Sequence, residues 1–284
     1  MFVKIQLLEN HMNNPLRQYF RRPALHLSLP SRGKFYSENS LESSETGDFA
    51  VFPMTAIDEI TSKTPDALFN GSAVADIIKS CIPAIKDPWG MPSIDIDAVL
   101  ISIRAATNGT DLEINSECPS CKVNSLYNVN LMQLLSTIKA GDYDTPLAIG
   151  ELKIKFRPLS YRDINKGNLA QFEMQREIVI LESITDDEER NTKSTLAMKK
   201  ISGMNMELIA TTIESINLPN ESVVNRDFIN EFLAKCDRNT FESIKTHISN
   251  LREDSTTKPQ KIKCVECSHE YEQALALNVS DFFV

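Results

Sequence analysis

Two cysteine pairs, far apart in the chain, are the residues whose type and spacing could support chemistry. Cys118 and Cys121 form the first pair, and Cys264 and Cys267 form the second. Each C-x-x-C step turns two thiolates toward one point, which is half of a tetrahedral zinc site. Four sulfurs would leave no open coordination position. The sequence therefore predicts one structural zinc per chain, held by these four residues.

The segments that flank both pairs have strand-like patterns. Residues 111–114 and 261–263 alternate polar and apolar side chains, and residues 126–129 and 271–275 follow the two pairs. Strand, knuckle and strand, twice over, are typical of a zinc ribbon. However, 142 residues lie between the pairs, against a usual linker of about 15–20. We therefore expect residues near 111–129 and 261–277 to form one small sheet that carries a large insertion.

Other interpretations of the cysteines stay open at this point. A C-P-x-C pair also occurs in thiol oxidoreductases, which place it at a helix N-terminus, but residues 122–125 have no helical pattern. Thiol reactivity with and without a chelator would distinguish the two chemistries. His269 could replace one thiolate. Cys81 and Cys236 are single cysteines on apolar helix faces, which favours buried hydrophobic roles.

Composition limits the class of partner. The net charge of −9 argues against binding along a nucleic acid backbone, which counts against a nucleic-acid-binding zinc ribbon. The basic cluster near the N-terminus lacks an aromatic stacking platform, so a solvated arm or an acidic partner fits it better. No run approaches the roughly 20 apolar residues of a membrane span, and residues 1–9 are too short and charged for a signal peptide. We expect cytosolic synthesis.

Residues 55–108 have the pattern of a compact helical module. Thr55 and Asp58 predict a capping box, and Pro65 suits the first position of another helix that would stop at Gly71. Ser72 is expected to cap the next helix. A third helix is predicted by apolar residues at helical spacing, namely Ile96, Val99, Leu100 and Ile103. It is expected to stop at Asn108-Gly109.

Beyond the first knuckle the pattern stays mainly helical. A strand over 152–156 is expected to pair with 147–149 through a turn at Gly150. The acidic run 186–189 is expected to begin a helix and not to bind a cation, because no EF-hand pattern surrounds it. The expected helices cover 131–138, 160–183, a segment that starts near 186, 206–216, 227–235 and 241–251.

These patterns predict an α+β, mainly helical fold with a small zinc-ribbon-like sheet. The expected divisions are an extended N-terminal arm (1–54) and a helical module with the first knuckle (55–130). A helical insertion (131–255) follows, and then a second knuckle with a closing strand at the C-terminus (256–284). Residues 254–259 are read as a linker.

Enzymatic constellations are absent from the sequence. There is no phosphate-binding P-loop, no G-x-G-x-x-G, no G-x-S-x-G and no H-E-x-x-H. None of the four histidines lies near a candidate nucleophile. Trp89 lies in a proline-punctuated loop, where it could anchor a partner or pin the loop onto the helical module.

Several stretches, in this order, resemble the baseplate hub and hub-assembly protein family of T-even-like contractile phages. The likeness covers roughly the first 125 residues and the terminal knuckle, and it does not extend to the helical insertion. The matching segments are 29–36 (LPSRGKFY), 54–59 (MTAIDE), 68–71 (LFNG), 77–81 (IIKSC), 97–106 (DAVLISIRAA) and 118–121 (CPSC).

The resemblance implies a non-enzymatic protein used to build a phage tail baseplate, either as a hub component or as an assembly factor. Its partners would be other tail or baseplate proteins, with no small-molecule substrate. It would reside in the virion tail, in the host cytoplasm during assembly, or both. Arg32 and Tyr36, which lie in a matching stretch, and Trp89 are candidate partner-binding residues.

Overall fold

The computed structural model describes residues 14–64, 71–182 and 186–275, and the fold is α+β. The predictions for Pro65 and for a closing strand at the C-terminus lie outside these residues. The helices are α1 (Ala56–Ser62), α2 (Ser72–Cys81), α3 (Ile96–Asn108), α4 (Leu131–Thr137), α5 (Tyr161–Glu182), α6 (Asp187–Thr212), α7 (Arg226–Lys235) and α8 (Arg238–Glu253). The strands are β1 (Leu25–Ser28), β2 (Asp48–Val51), β3 (Asp111–Glu117), β4 (Asn124–Asn130), β5 (Leu147–Ile149), β6 (Leu152–Phe156), β7 (Ile213–Asn217), β8 (Ser222–Val223), β9 (Gln260–Lys263) and β10 (Glu270–Gln273).

A first hydrophobic core joins the N-terminal hairpin to helices α2, α3 and α4. Strands β1 and β2 pair antiparallel and bury Leu27 and Val51 against Ile77 and Ile101. The segment that the sequence suggested to be an extended arm thus contributes two strands to this core. Alternation along β1 places its apolar side chains on the buried face.

Local capping signals were read correctly in two of the three helices α1, α2 and α3. The capping box of α1 is confirmed: Asp58 Oδ2 accepts from Thr55 N at 2.7 Å, and Thr55 Oγ1 accepts from Asp58 N at 3.2 Å. Helix α3 ends at Asn108, with Gly109 as its C-cap, as expected. The prediction that Ser72 caps α2 is wrong by one position. Gly71 is the N-cap, and its φ of +77° is a conformation that glycine adopts without strain.

A second hydrophobic core is built on an antiparallel sheet of four strands in the order β5-β6-β7-β8. Helices α7, α8 and the end of α6 cover it, and Phe156 and Ile213 are buried at its centre. The prediction of a helix from 206 to 216 is confirmed as far as Thr212 and wrong for its last four residues. Helix α6 ends at Thr212, and Ile216 lies opposite Ile154 of β6. Residues 211–213 are all β-branched, which disfavours helix and suits a buried strand.

Helices α5 and α6 form a long antiparallel hairpin outside most of the two cores. Ser160 and Asp163 make the expected capping box at the start of α5, with Asp163 Oδ2 accepting from Ser160 N at 3.0 Å. Asp186 caps α6 by accepting from the amides of Glu188 and Glu189 at 2.9 Å, which confirms that the acidic run begins a helix. Across the described ranges, no helix has both the length and the apolar character of a membrane span.

The two cores meet at a junction between the loop before α3 and the start of α5. Ser93 N donates to Leu159 O at 2.7 Å, and Tyr161 N donates to Met91 O at 2.8 Å. The ring of Trp89 packs against the ring of Tyr161, with centroids 5.2 Å apart. Backbone pairing and ring packing thus fix the insertion to the N-terminal core.

Asp95, which sequence analysis did not single out, supports this junction from inside. Its carboxylate is 0% exposed and accepts from Ser31 N at 2.8 Å, Ser31 Oγ at 2.6 Å and Tyr36 Oη at 3.0 Å. Burial raises the pKa of Asp95 to about 6, although its hydrogen bonds from Ser31 and Tyr36 oppose the shift. The carboxylate therefore holds the 31–36 turn in place at an electrostatic cost.

We expect Asp95→Asn to change how stability depends on pH. Because the folded-state pKa lies above the ordinary 3.8, the folded protein binds this proton more tightly, and the resulting stability is lost as pH rises through about 6. Relative to Asp95→Asn, the wild type should therefore lose about 2 kcal/mol of unfolding free energy between pH 4 and 6.5. Urea unfolding at several pH values measures this, with the exposed Asp76→Asn as a control that should keep the wild-type profile. Parallel curves for wild type and Asp95→Asn would contradict the assignment.

Candidate metal centre

Each cysteine pair lies at the turn of its own β-hairpin. Strands β3 and β4 pair from Asp111–Asn130 to Glu117–Asn124, and the first pair follows directly in the turn. Strands β9 and β10 pair in the same way on either side of the second cysteine pair. The prediction of strand, knuckle and strand at both places is confirmed.

Backbone hydrogen bonds close the first knuckle. Cys118 N donates to Val123 O at 3.0 Å, and Lys122 N donates to Cys118 O at 2.9 Å. Lys122 adopts a φ of +63°, a left-handed conformation that reverses the chain after the second cysteine. A knuckle of this shape directs both sulfurs to the same side of the turn.

The second knuckle repeats this geometry at equivalent positions. Cys264 N donates to His269 O at 2.9 Å, Ser268 N donates to Cys264 O at 3.0 Å, and Ser268 has a φ of +58°. In both knuckles the fourth residue after the first cysteine is left-handed, yet neither residue is glycine. The sequence therefore carries no glycine signal for this turn, and only the cysteine spacing indicates it.

The four sulfurs converge on one point. All four lie within 4.8 Å of one another, with Cys118 Sγ 3.7 Å from Cys267 Sγ and Cys121 Sγ 3.6 Å from Cys264 Sγ. A zinc–sulfur bond is about 2.3 Å, so the edge of a tetrahedral zinc–thiolate site is about 3.8 Å. These separations match that edge and are far longer than a disulfide bond of about 2.05 Å. The cluster could hold a metal ion.

The cluster is half enclosed by protein. Cys118 and Cys264 are buried, Cys121 is half-buried and Cys267 is exposed. The ring of His269 stacks on Tyr271, with centroids 6.2 Å apart, and the four-residue cluster consists of thiols alone. The open alternative in which His269 replaces a thiolate finds no support in this geometry.

Electrostatics within the cluster favour a thiolate at Cys264 and oppose one at Cys121. The amides of Cys267 and Glu266 lower the pKa of Cys264 to about 7. The Val123 amide acts to lower the pKa of Cys121, but burial and hydrogen bonds to the other three sulfurs outweigh it and raise that pKa to about 12. Neighbouring negative charges disfavour ionisation, so four thiolates together require a cation.

The expectation that the two hairpins form one small sheet is wrong. Within the described residues β3–β4 and β9–β10 are separate two-stranded sheets. Each knuckle pairs its own two strands, so the hairpins meet through side chains instead. Ser116, which is 3% exposed, donates to Gln273 Oε1 at 2.6 Å, and its Oγ lies 3.0 Å from Tyr271 Oη. Sequence analysis missed this contact, since only the alternation of β3 hints at an inward Ser116.

Comparison with protein families matches residues 47–284 to the T4 bacteriophage base plate protein family. The match covers both hairpins, both knuckles and the whole insertion. This chain belongs to that family. Neither a comparison with curated proteins nor one with solved structures gave a match.

In this baseplate protein the segment between the insertion and the second knuckle is hydrogen-bonded to the first core. Lys139 N donates to Asp254 O at 2.8 Å, Thr257 N donates to Asp97 Oδ2 at 3.1 Å, and Ser255 is buried. Residues 254 and 257, in the segment read from sequence as a linker, thus bind the chain just after α4 and the start of α3. The insertion therefore leaves and returns at the same side of the first core.

The three residues predicted to contact partners have different surroundings in the baseplate protein. Trp89 packs on Tyr161, and Tyr36 is bonded to Asp95, with burial first and the Asp95 charge second raising the pKa of Tyr36. Arg32 is exposed, with a φ of +54°. Trp89 and Tyr36 thus have internal contacts, while a partner-binding role for any of the three stays a prediction.

We expect Ser116→Ala to loosen the contact between the two hairpins. Removing this hydroxyl leaves Gln273 Oε1 without its donor inside the structure, which costs roughly 1–3 kcal/mol. Hydrogen exchange should then speed up in β9 and β10 more than in α3. Ser136→Ala, which removes an exposed hydroxyl on α4, is the control and should leave both regions unchanged. Equal protection of β9 and β10 in wild type and Ser116→Ala would contradict a role for this hydroxyl.

Proposed function

We propose that this protein is a non-enzymatic component of a contractile-tail baseplate, either a hub protein or a factor in hub assembly. It acts through contacts with other tail or baseplate proteins and carries one structural zinc. Membership of the baseplate family is the observation that carries the role, and the resemblance of residues 29–36 and 54–59 to hub and hub-assembly proteins supports the finer assignment.

The geometry of the sulfur cluster supports zinc with Cys118, Cys121, Cys264 and Cys267 as its ligands. Separations of 3.6 and 3.7 Å suit a four-coordinate ion, and four protein ligands leave no position for a substrate. Such an ion serves folding: it would fix the terminal hairpin to the first one. Structural zinc can contribute on the order of 10 kcal/mol, comparable to the stability of a whole domain.

Several observations support a role through protein contacts. The sequence lacks the motifs of phosphate-binding, hydrolytic and metalloprotease sites, and a zinc ion held by all four thiolates would have no open coordination position. The two cores are joined by backbone pairing, which suits a part that must keep its shape inside an assembly. The protein would occupy the virion tail, the host cytoplasm during assembly, or both.

The zinc content of the protein and one substitution test whether the four cysteines bind a structural zinc. Purified protein should contain about one equivalent of zinc, and Cys264→Ser should lose most of it, because three thiolates bind the ion far less tightly than four. Without the ion the terminal hairpin should separate from the first one. Limited proteolysis should then cut between 254 and 259, while the core of α2 and α3 survives as a fragment.

Cys236→Ser is the matched control, since Cys236 is a single thiol on α7's end and lies outside the cluster. It should keep both the zinc and the wild-type resistance to protease. A folded, protease-resistant protein without metal, or a Cys118–Cys121 disulfide in a reducing cytosol, would contradict the structural zinc.

Co-expression with tail and baseplate proteins tests the assembly role. The chain should co-purify with at least one of them at a fixed ratio, because a structural part or assembly factor must bind its neighbours. Treatment with nuclease should not release it. Recovery as a free monomer in cells that make these components, or release by nuclease, would count against the proposal.

A further inference from the structure

A groove of about 690 Å³ runs between the two cores at their junction. One wall is the second half of the 31–36 turn, with Ser37 and the loop at 90–92. The other wall is the end of β6, residues 157–160 and the start of α5. Pro92 and Ser160 form a backbone bridge across the junction at its base. The groove therefore lies where both halves of the molecule contribute side chains.

The wall formed by the turn is held in a fixed shape. Three hydrogen bonds from Ser31 and Tyr36 to the buried Asp95 carboxylate hold both ends of the turn. Within it Arg32 and Phe35 have φ values of +54° and +70°, which L-residues rarely adopt. Conformations of this kind persist where surrounding contacts enforce them, so the wall is preformed.

The groove is basic although the chain as a whole is acidic. Lys34, Lys155 and Arg157 line it, in a protein of net charge −9. Of the carboxylates in the lining, Glu214 pairs with Lys155 at 3.0 Å and Asp163 caps the start of α5. Both are thus engaged in contacts of their own.

Arg157 is the cation best placed to bind a partner. Its Nε donates to Thr211 O at 3.0 Å, which anchors the guanidinium, and the side chain remains exposed. Among the described residues, no carboxylate forms an ion pair with its two terminal nitrogens. A guanidinium held in this way presents two parallel donors, the arrangement that binds a carboxylate most strongly.

An aromatic side chain adjoins these cations. Phe35 is 37% exposed, lines the groove, and packs edge-on against Tyr143 with centroids 5.4 Å apart. Lys34 beside it pairs with the exposed Asp144, and an exposed pair of this kind is readily exchanged for another carboxylate. Arginine next to an aromatic ring is a composition enriched at protein interfaces.

We propose that this groove binds an acidic segment of another baseplate protein, with a carboxylate on Arg157 and an apolar side chain on Phe35. The inference rests on the proposed function, because it names the chemistry of one partner contact. A phosphate backbone would also suit arginine, but the overall charge of −9 opposes nucleic acid along the rest of the surface.

The test uses the full chain in complexes from cells that make the baseplate proteins. A carbodiimide joins a lysine amine directly to a carboxylate in contact with it, and peptide mass spectrometry locates the product. Lys34 or Lys155 should become joined to an Asp or Glu of a second baseplate protein. Arg157→Glu should reduce this product at least about tenfold, since like charges would then meet.

Lys79→Glu, on the exposed face of α2, makes the same change of charge outside the groove and should leave the yield within about twofold. Arg157→Gln, checked for wild-type thermal unfolding, repeats the test without charge reversal and should also lower the yield. The proposal is overturned if complexes form but the groove lysines join only Asp144 or Glu214 of their own chain. It is equally overturned if both Arg157 variants keep the wild-type yield, or if nuclease abolishes the product. Failure to form any baseplate complex would instead overturn the proposed function, and this inference with it.

Discussion

The convergence of four thiols from distant parts of the chain is the constraint on which the rest of the structure depends. Sulfur atoms from residues 118–121 and 264–267 lie within 4.8 Å of one another, although 142 residues separate the pairs. Closing so long a loop costs conformational entropy, and four clustered thiols resist losing their protons together. Within the cluster the pKa values of Cys264 and Cys121 diverge to about 7 and about 12. A divalent cation would offset both costs, because it binds the thiolates of both hairpins at once.

The insertion satisfies this constraint because it has its own core and its two ends lie close together at the first core. It leaves the first core after α4 and returns to the same place, where Lys139 N and the Asp97 carboxylate bind the returning backbone. The junction of Trp89 with Tyr161, nearer the start of the insertion, attaches it a second time. Two attachments, one where the insertion leaves and returns and one at the junction, restrict rotation of the insertion about either one alone. Such an arrangement suits a member of the baseplate family, whose parts must hold their positions in a large assembly.

The groove between the two cores is lined by three basic side chains in a protein of net charge −9, and hydrogen bonds to a buried carboxylate hold one of its walls. Asp95 carries its negative charge inside the protein, and the turn that it holds presents Lys34 and Phe35 outward. The buried carboxylate thus shapes a basic, partly aromatic wall without lying on the surface itself. By contrast, the hairpin of α5 and α6, about 33 Å long in α5 by helix rise, is attached to the cores chiefly at its base.

The sequence by itself determined the features that depend on a few neighbouring residues. The C-x-x-C spacing predicted both knuckles, and Ser160 with Asp163, like Thr55 with Asp58, predicted helix starts, because each signal acts within three or four residues. Tertiary structure decided what depends on distant partners. Strand β7 forms where the sequence suggested helix, because pairing with β6 and burial of Ile213 and Ile216 outweigh local propensity. The hairpins stay separate because each knuckle already pairs its own strands, and Asp95 gains its role only when Ser31 and Tyr36, roughly sixty residues away, fold over it.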